Sequence, residues 1–294
     1  MTNTFATADE LARIAAKIVG LDLGLAALVS RDLEADFVPG GGNTVRVRIP
    51  GAVEAHTKPI FDKSTPLESS EIAEQSVPVT LNTHAYSNVI LSEGDLDLVI
   101  EDFSAQVLAP QSHSIVKFAE REVAAAMQAT PETASIAFDE ANPAKTFTQI
   151  RRALRSNGVS TDEPLLAAVG SDVYAALLDA EDFDTSGEGR IRGFEVHEST
   201  RLAPGEIVGF IRPAFSLVVR APRVPDGAPF GKSVVDGGFA LRYLRSYDGS
   251  VAADRSLVSA FVGVSAMPLA VDGEDGTVSL KANGGAVRVL TAQL

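Results

Sequence analysis

The chain has 294 residues, enough for one elaborate domain or two ordinary ones that bury roughly 75% of the unfolded surface. It contains no cysteine, which excludes disulfides, thiolate metal sites and cysteine nucleophiles, and its formal charge of −14 disfavours tight binding to a polyphosphate. No apolar run reaches the roughly 18 residues that span a bilayer, and no basic start leads into an apolar block and cleavage site, so a soluble protein made in the cytoplasm is expected.

The first predicted element is a helix. Thr7 and Glu10 form a candidate capping box, Leu11, Ile14, Ala15 and Ile18 share one face, and Gly20 is a plausible stop. Residues 21–29 form a second apolar piece compatible with helix. Residues 39–43, a proline, three glycines and an asparagine, break regular structure. Val45, Val47 and Ile49 then alternate with Arg46 and Arg48, which predicts a strand. A matching pattern follows at Val77, Val79 and Leu81, alternating with Pro78, Thr80 and Asn82. The 27 residues between these strands, 50–76, are mostly polar and cannot bury a core of their own. Loops longer than about 12–15 residues are uncommon in compact domains unless they have a function. If the flanking strands pair, the whole forms a long two-stranded arm. An isolated hairpin is marginal in water, so the arm requires a partner to lie on.

Ser92 and Asp95 are placed to cap a long helix over residues 95–128. Leu96, Val99, Phe103 and Val107 follow at helical spacing, and the pattern resumes at Ile115, Phe118, Ala119, Val123 and Ala126. Pro110 is expected to kink or restart the helix between them. The rod would be about 50 Å long at 1.5 Å per residue. Beyond Thr130 and Pro131 an α/β stretch begins. Asn142 caps a helix with Pro143 at its first position, Phe147, Ile150 and Leu154 form its apolar face, and Asn157-Gly158 ends it. Residues 164–169 read as a buried strand, and Ser171 as the cap of a short helix carrying Val173, Leu177 and Leu178. Residues 207–211 and 216–219 read as strands. After a Pro- and Gly-rich connection, residues 238–245 and 256–265 form two long strands. The Gly-rich residues 268–294 are expected to be a small β appendage.

No combination of residues assembles an active site. Asp182 to Gly187 opens like a calcium loop, but Gly193 stands where the closing glutamate belongs, so an acidic surface turn is the better reading. Gly187, Gly189 and Gly193 miss the dinucleotide fingerprint and follow an acidic loop where a strand is needed. Ser114 and Lys117 have the spacing of a serine acyl enzyme without its companion motifs. His56, His84, His113 and His197 lack metal-ligand spacing. The adjacent acids Glu101-Asp102 and Glu181-Asp182 do not share a helix face. Neither a catalytic residue, a cofactor site nor a metal site is expected.

The run Val77-Pro78-Val79-Thr80-Leu81, Tyr86-Ser87, residues 96–103, and Val107-Leu108-Ala109-Pro110-Gln111 together resemble the major capsid protein of tailed bacteriophages. So does the terminal hairpin from Ala240-Leu241-Arg242 through Tyr247-Asp248 to Asp254-Arg255-Ser256. The resemblance is strongest to phages of actinobacterial hosts and covers about residues 4–267. It implies the α+β Hong Kong-type capsid fold: an N-terminal arm (1–44), a long β-hairpin extended loop (45–81), a peripheral domain with the spine helix (82–130), an α/β axial domain (131–219), a return to the peripheral domain (220–267) and the C-terminal β appendage (268–294). The implied function is a coat protein of the icosahedral head shell, located in the virion. Its implied partners are copies of itself as hexamers and pentamers, a scaffolding protein, a portal, and packaged DNA as non-specific cargo, with no membrane. An encapsulin-like nanocompartment shell is the alternative, and a soluble enzyme is less favoured. Lys58, Asp62, Lys63, Glu68 and Glu71 of the arm are the expected assembly contacts. An acidic wall would also avoid pinning DNA.

Overall fold

A computed structural model describes residues 8–21, 24–33, 37, 42–49, 51, 53–69, 71–72, 74–95, 102–185, 189–228, 230–236, 239–273 and 277–291. Thr7 of the first capping box, the glycines at 40 and 41, residues 96–101 of the expected spine and residues 186–188 of the acidic turn lie outside them. In chain order the elements are α1 (Ala8–Leu21), α2 (Leu25–Leu28), β1 (Thr44–Ile49), β2 (Gln75–Thr80), β3 (Thr83–Ser92), a π turn (Ser104–Leu108), α3 (Ala109–Gln128) and α4 (Pro143–Ser156). There follow β4 (Leu165–Val169), α5 (Ser171–Leu178), β5 (Arg190–Ile191), β6 (Phe194–Glu198), β7 (Glu206–Phe210), β8 (Phe215–Arg220), β9 (Phe230–Asp236), β10 (Phe239–Asp248), β11 (Ala253–Ala266), β12 (Leu269–Asp272), β13 (Val278–Lys281) and β14 (Ala286–Leu290). They form two compact units, one of residues 1–43, 80–126 and 216–265, the other of 44–79, 127–215 and 266–294.

The first unit is built on a sheet in the order β3-β11-β10-β9, with β8 also pairing β11. The two expected long strands are present as β10 and β11 and pair antiparallel from Arg242↔Ser259 to Asp248↔Ala253. The sequence reading did not anticipate β3, which pairs along β11 from Thr83↔Val262 to Ser92↔Ala253. Its inward positions include Ala85, Ser87 and Val89, too small and polar to announce a strand; the long-range pairing makes it one. Buried Gln111 of α3 holds both strands, because its amide donates to the Ser87 carbonyl (3.0 Å) and the Ser256 carbonyl (2.9 Å) and its oxygen accepts from the Ser256 hydroxyl (2.7 Å). The expected cap is in place: the Asp95 carboxylate accepts from the Ser92 hydroxyl at 2.6 Å and the Ser92 N–H at 2.9 Å. Pro110 is the second residue of α3, which begins at Ala109, so the α-helix restarts at the proline as expected. The π turn just before it, in which the Ala109 N–H donates to the Ser104 carbonyl, replaces the α-type bond pattern at the point where the proline lacks a donor.

The buried stripe of α1 is Leu11, Ala12, Ala15 and Ala16; Leu11 and Ala15 belong to the predicted face, whereas Ile14 is 39% exposed and the side chain of Ile18 lies outside the described residues. Three alanines let the helix lie close on β9 and β10, where a longer side chain would hold it off. Of the described residues in the second apolar piece, Leu21 ends α1 and residues 25–28 form α2, whose start buried Glu120 of α3 explains. One Glu120 carboxylate accepts the backbone N–H groups of Gly24 (2.8 Å), Leu25 (2.8 Å) and Ala26 (3.0 Å).

The second unit has a sheet in the order β14-β7-β4-β6-β5, in which only β4 and β6 run parallel. The expected buried strand is β4, with all five residues buried. Asn142 caps α4 as predicted, its side chain accepting the Lys145 N–H at 3.2 Å. The helix ends at Gly158 (φ +106°), with the Val159 N–H on the Leu154 carbonyl and the Gly158 N–H on the Arg155 carbonyl. Ser171 does not cap α5; Gly170 does, and an added Cβ there would sit 2.0 Å from the Ala203 carbonyl oxygen. Residues 268–294 are more than an appendage. β12 and β13 form a small separate sheet, but β14 pairs with β7 from Ala286↔Phe210 to Leu290↔Glu206 and completes the edge of the main sheet. Buried Glu206 secures this edge: it accepts from Arg288 (2.5 Å), Gln128 (2.9 Å) and the Ala203 N–H (3.0 Å). Burial works against its charge, but these donors outweigh it and hold the carboxyl below its ordinary value.

Candidate assembly surface

β1 and β2 pair with each other as a two-stranded sheet, as their alternation predicts. Nothing in β1 is fully buried, and Val79 is the buried residue of β2. The connecting loop turns at Pro59–Asp62, where the Asp62 N–H donates to the Pro59 carbonyl at 3.0 Å. Asp62 then organises the next two residues, its Oδ1 accepting from the Ser64 N–H (2.8 Å), the Ser64 hydroxyl (2.8 Å) and the Thr65 N–H (3.2 Å). Hydrogen bonds from Thr65 and then Ser64 hold its carboxyl far below the usual range. Lys58 Nζ donates to the Thr65 carbonyl at 3.2 Å.

Of the five predicted contact residues, the structure therefore brings Lys58 and Asp62 together around Thr65, where they shape the tip. Glu68 lies apart from them, with Oε2 3.2 Å from His56 Nδ1. Lys63 and Glu71 are exposed on the loop. The larger feature of the arm is apolar: Ile60, Phe61, Leu67 and Ile72 are 94%, 91%, 81% and 68% exposed. Four large apolar side chains held out in water on one loop mark a contact surface. The available signal was the Ile60-Phe61 pair, which the polar average of the run conceals.

Ser114 and Asp182, two residues of the candidate motifs, have partners within the chain. The Ser114 hydroxyl donates to the Gln111 carbonyl of its own helix at 2.6 Å. Asp182 pairs with Arg192 at 2.8 Å. Among the described residues no cluster of three histidines or carboxylates could hold a metal.

The sequence matches no family model and no curated protein. Solved structures do match. A chain from Mycobacterium phage Che8 aligns at TM-score 0.60 and 12% identity, over 98% of this chain and 94% of that one. One from the capsid of cyanophage P-SCSP1u aligns at TM-score 0.58 and 13% identity, over 100% and 91%. A virus-like particle from Pyrococcus furiosus aligns at TM-score 0.53 and 15% identity, over 96% and 98%. The chain has the Hong Kong-type capsid fold, a mixed α and β architecture shared along almost the whole length of these proteins.

Proposed function

We propose that this chain is the coat protein of a tailed phage, assembling as hexamers and pentamers into the icosahedral shell that encloses double-stranded DNA. The observation that carries the reading is the arm, a two-stranded excursion that leaves Ile60 and Phe61 almost fully exposed. Burying apolar surface is worth roughly 25 cal/mol per Å², so these side chains favour a neighbouring copy over water. A phage shell is favoured over a nanocompartment because the matching structures include capsids of several phages. On this reading residues 45–81 reach over a neighbour, 82–130 and 220–267 are the peripheral domain, and 131–219 are the axial domain. Lys58, Lys63, Glu68 and Glu71 add exposed charge pairs, each worth about 0–1 kcal/mol. A scaffolding protein and a portal complete the assembly, and the virion is its location.

The test is to express the chain alone and with a candidate scaffolding protein, then examine both by gel filtration and negative stain. Closed shells with the second protein are expected. A monodisperse 30.8-kDa species in both cases overturns the reading. Correctly sized shells from the chain alone would remove the scaffold from it and keep the rest.

A further inference from the structure

β12 and β13 form a short hairpin, paired from Leu269↔Lys281 at its base to Asp272↔Val278 beside its turn. The Gly273 N–H closes that turn on the Thr277 carbonyl at 2.7 Å. A hairpin of this size is marginal by itself in water, so something else must hold it. The burial pattern shows what does. Leu269 and Val271 of β12 are half-buried, as are Val278 and Leu280 of β13. Directly opposed residues share a side of the sheet, and Leu269 and Val271 are opposed by Lys281 and Ser279. The two half-buried pairs therefore face opposite sides, and the hairpin is held between two neighbours.

One neighbour is the end of α4. The side-chain amide of Asn157, at the C-cap of that helix, accepts from Lys281 Nζ at 2.6 Å and donates to the Gly284 carbonyl at 3.2 Å. Val271 sits on the next residue: a Cβ added at Gly158 would lie 2.8 Å from Val271 Cγ2, so the approach needs a glycine. The residues flanking the hairpin are fixed too, the Met267 N–H on the Ala214 carbonyl (2.8 Å) and the Gly285 carbonyl on the Ile211 N–H (3.0 Å). The other neighbour is the arm. The side chain of Gln75 donates to the Val278 carbonyl at 2.7 Å, in a half-buried contact between residues 203 apart in sequence. Gln75 is the first residue of β2, where the polar loop ends and the paired strands of the arm begin.

The arm has little else to fix it. Val79 is the buried residue of its two strands, so packing alone sets their direction weakly. We propose that the β12–β13 hairpin is a strut that sets the direction of the arm, its base clasped to the end of α4 by Asn157 and Lys281 and its tip carrying the arm through Gln75. Residues 269–281 then decide where the loop of residues 50–74 points, and releasing the strut at either end frees the arm. The inference concerns a single chain and stands independently of the shell reading.

The absence of cysteine makes the test direct. Spin labels go on Arg46→Cys in β1 and Asp162→Cys in the loop after α4, both exposed positions. The distance between them is measured by double electron–electron resonance in the full chain, diluted with unlabelled chain so that distances between copies do not contribute. A narrow distribution is expected for the parent, and a clearly broader one for Gln75→Ala and Asn157→Ala alike. Losing one hydrogen bond shifts a local opening equilibrium about five-fold, so hydrogen exchange in β2 should also rise about five-fold in both. Asn157 is the decisive position, because it holds the end of the strut away from the arm. Broadening with Gln75→Ala alone makes the contact a local one and overturns the strut, as does a parent-like width in both variants or a broad distribution in the parent. Lys281→Ala leaves α4 and its cap intact and must broaden the distribution as well; a parent-like width there traces the Asn157→Ala effect to the helix and overturns the strut. Whether shells form does not enter these measurements.

Discussion

Glu120 shows how much a single side chain can do when its partners are distant in sequence. Its carboxylate satisfies three backbone donors at the start of α2 that would otherwise be buried and unpaired. Glu120→Gln replaces one acceptor oxygen with a donor and should cost about 2–3 kcal/mol, read as a lower denaturation midpoint with faster hydrogen exchange at Leu25 and Ala26. Glu206 makes a second prediction, about pH. Its folded pKa lies below the ordinary 4.5, so the stability it contributes is complete above that value and is lost as pH falls through the folded pKa. Glu206→Gln should cost about 3 kcal/mol at neutral pH by leaving Arg288 buried against an uncharged partner. Its stability should also fall less steeply on acidification below pH 4.5, which a melting series across that range checks. Neither role was legible in the sequence, because the Glu120 partners Gly24 to Ala26 and the Glu206 partners Gln128 and Arg288 lie more than 75 residues away.

Elements that depend on their own residues were legible, and those that depend on partners were not. Helical spacing gave α3 and α4, Asn142 and Gly158 gave the ends of α4, and alternation gave β1 and β2. β3 was missed because β11 supplies its reason to be a strand. One position of the α1 face differs, because hydrophobicity alone ranks Ile14 above Ala12, whereas close packing on a sheet selects the alanine. In the arm, the polar residues are the expected contacts, and the structure adds the exposed Ile60, Phe61, Leu67 and Ile72 beside them. This distinction can be measured. Phe61→Ser should change the stability of the isolated chain by less than about 0.5 kcal/mol, since the side chain is almost fully exposed, yet abolish or strongly reduce shell formation. A variant that assembles as well as the parent would remove the apolar tip from the contact.

At the scale of the molecule, the capsid fold could be recognised from sequence as an order of elements, while the closure of its second unit could not. The segment expected to be an appendage supplies β14, joined to β7 by pairs such as Val289↔Ile207. Strand pairing between residues so far apart leaves no local trace. Deleting residues 286–291 should expose β7 as a sheet edge and leave Glu206 without Arg288. The expected result is aggregation of the truncated chain, read by light scattering, with protease cleavage concentrated in residues 127–215.

The position of β14 also sets a schedule. By the time residue 266 has left the ribosome, every strand of the first unit's sheet has been made, whereas the second sheet still waits for residues 286–290. At about 5–20 residues per second the interval is one to several seconds, during which β7 has no partner on one side. The growing chain thus carries an unfinished edge until residues 286–290 have been made, and a chain released before residue 286 keeps it.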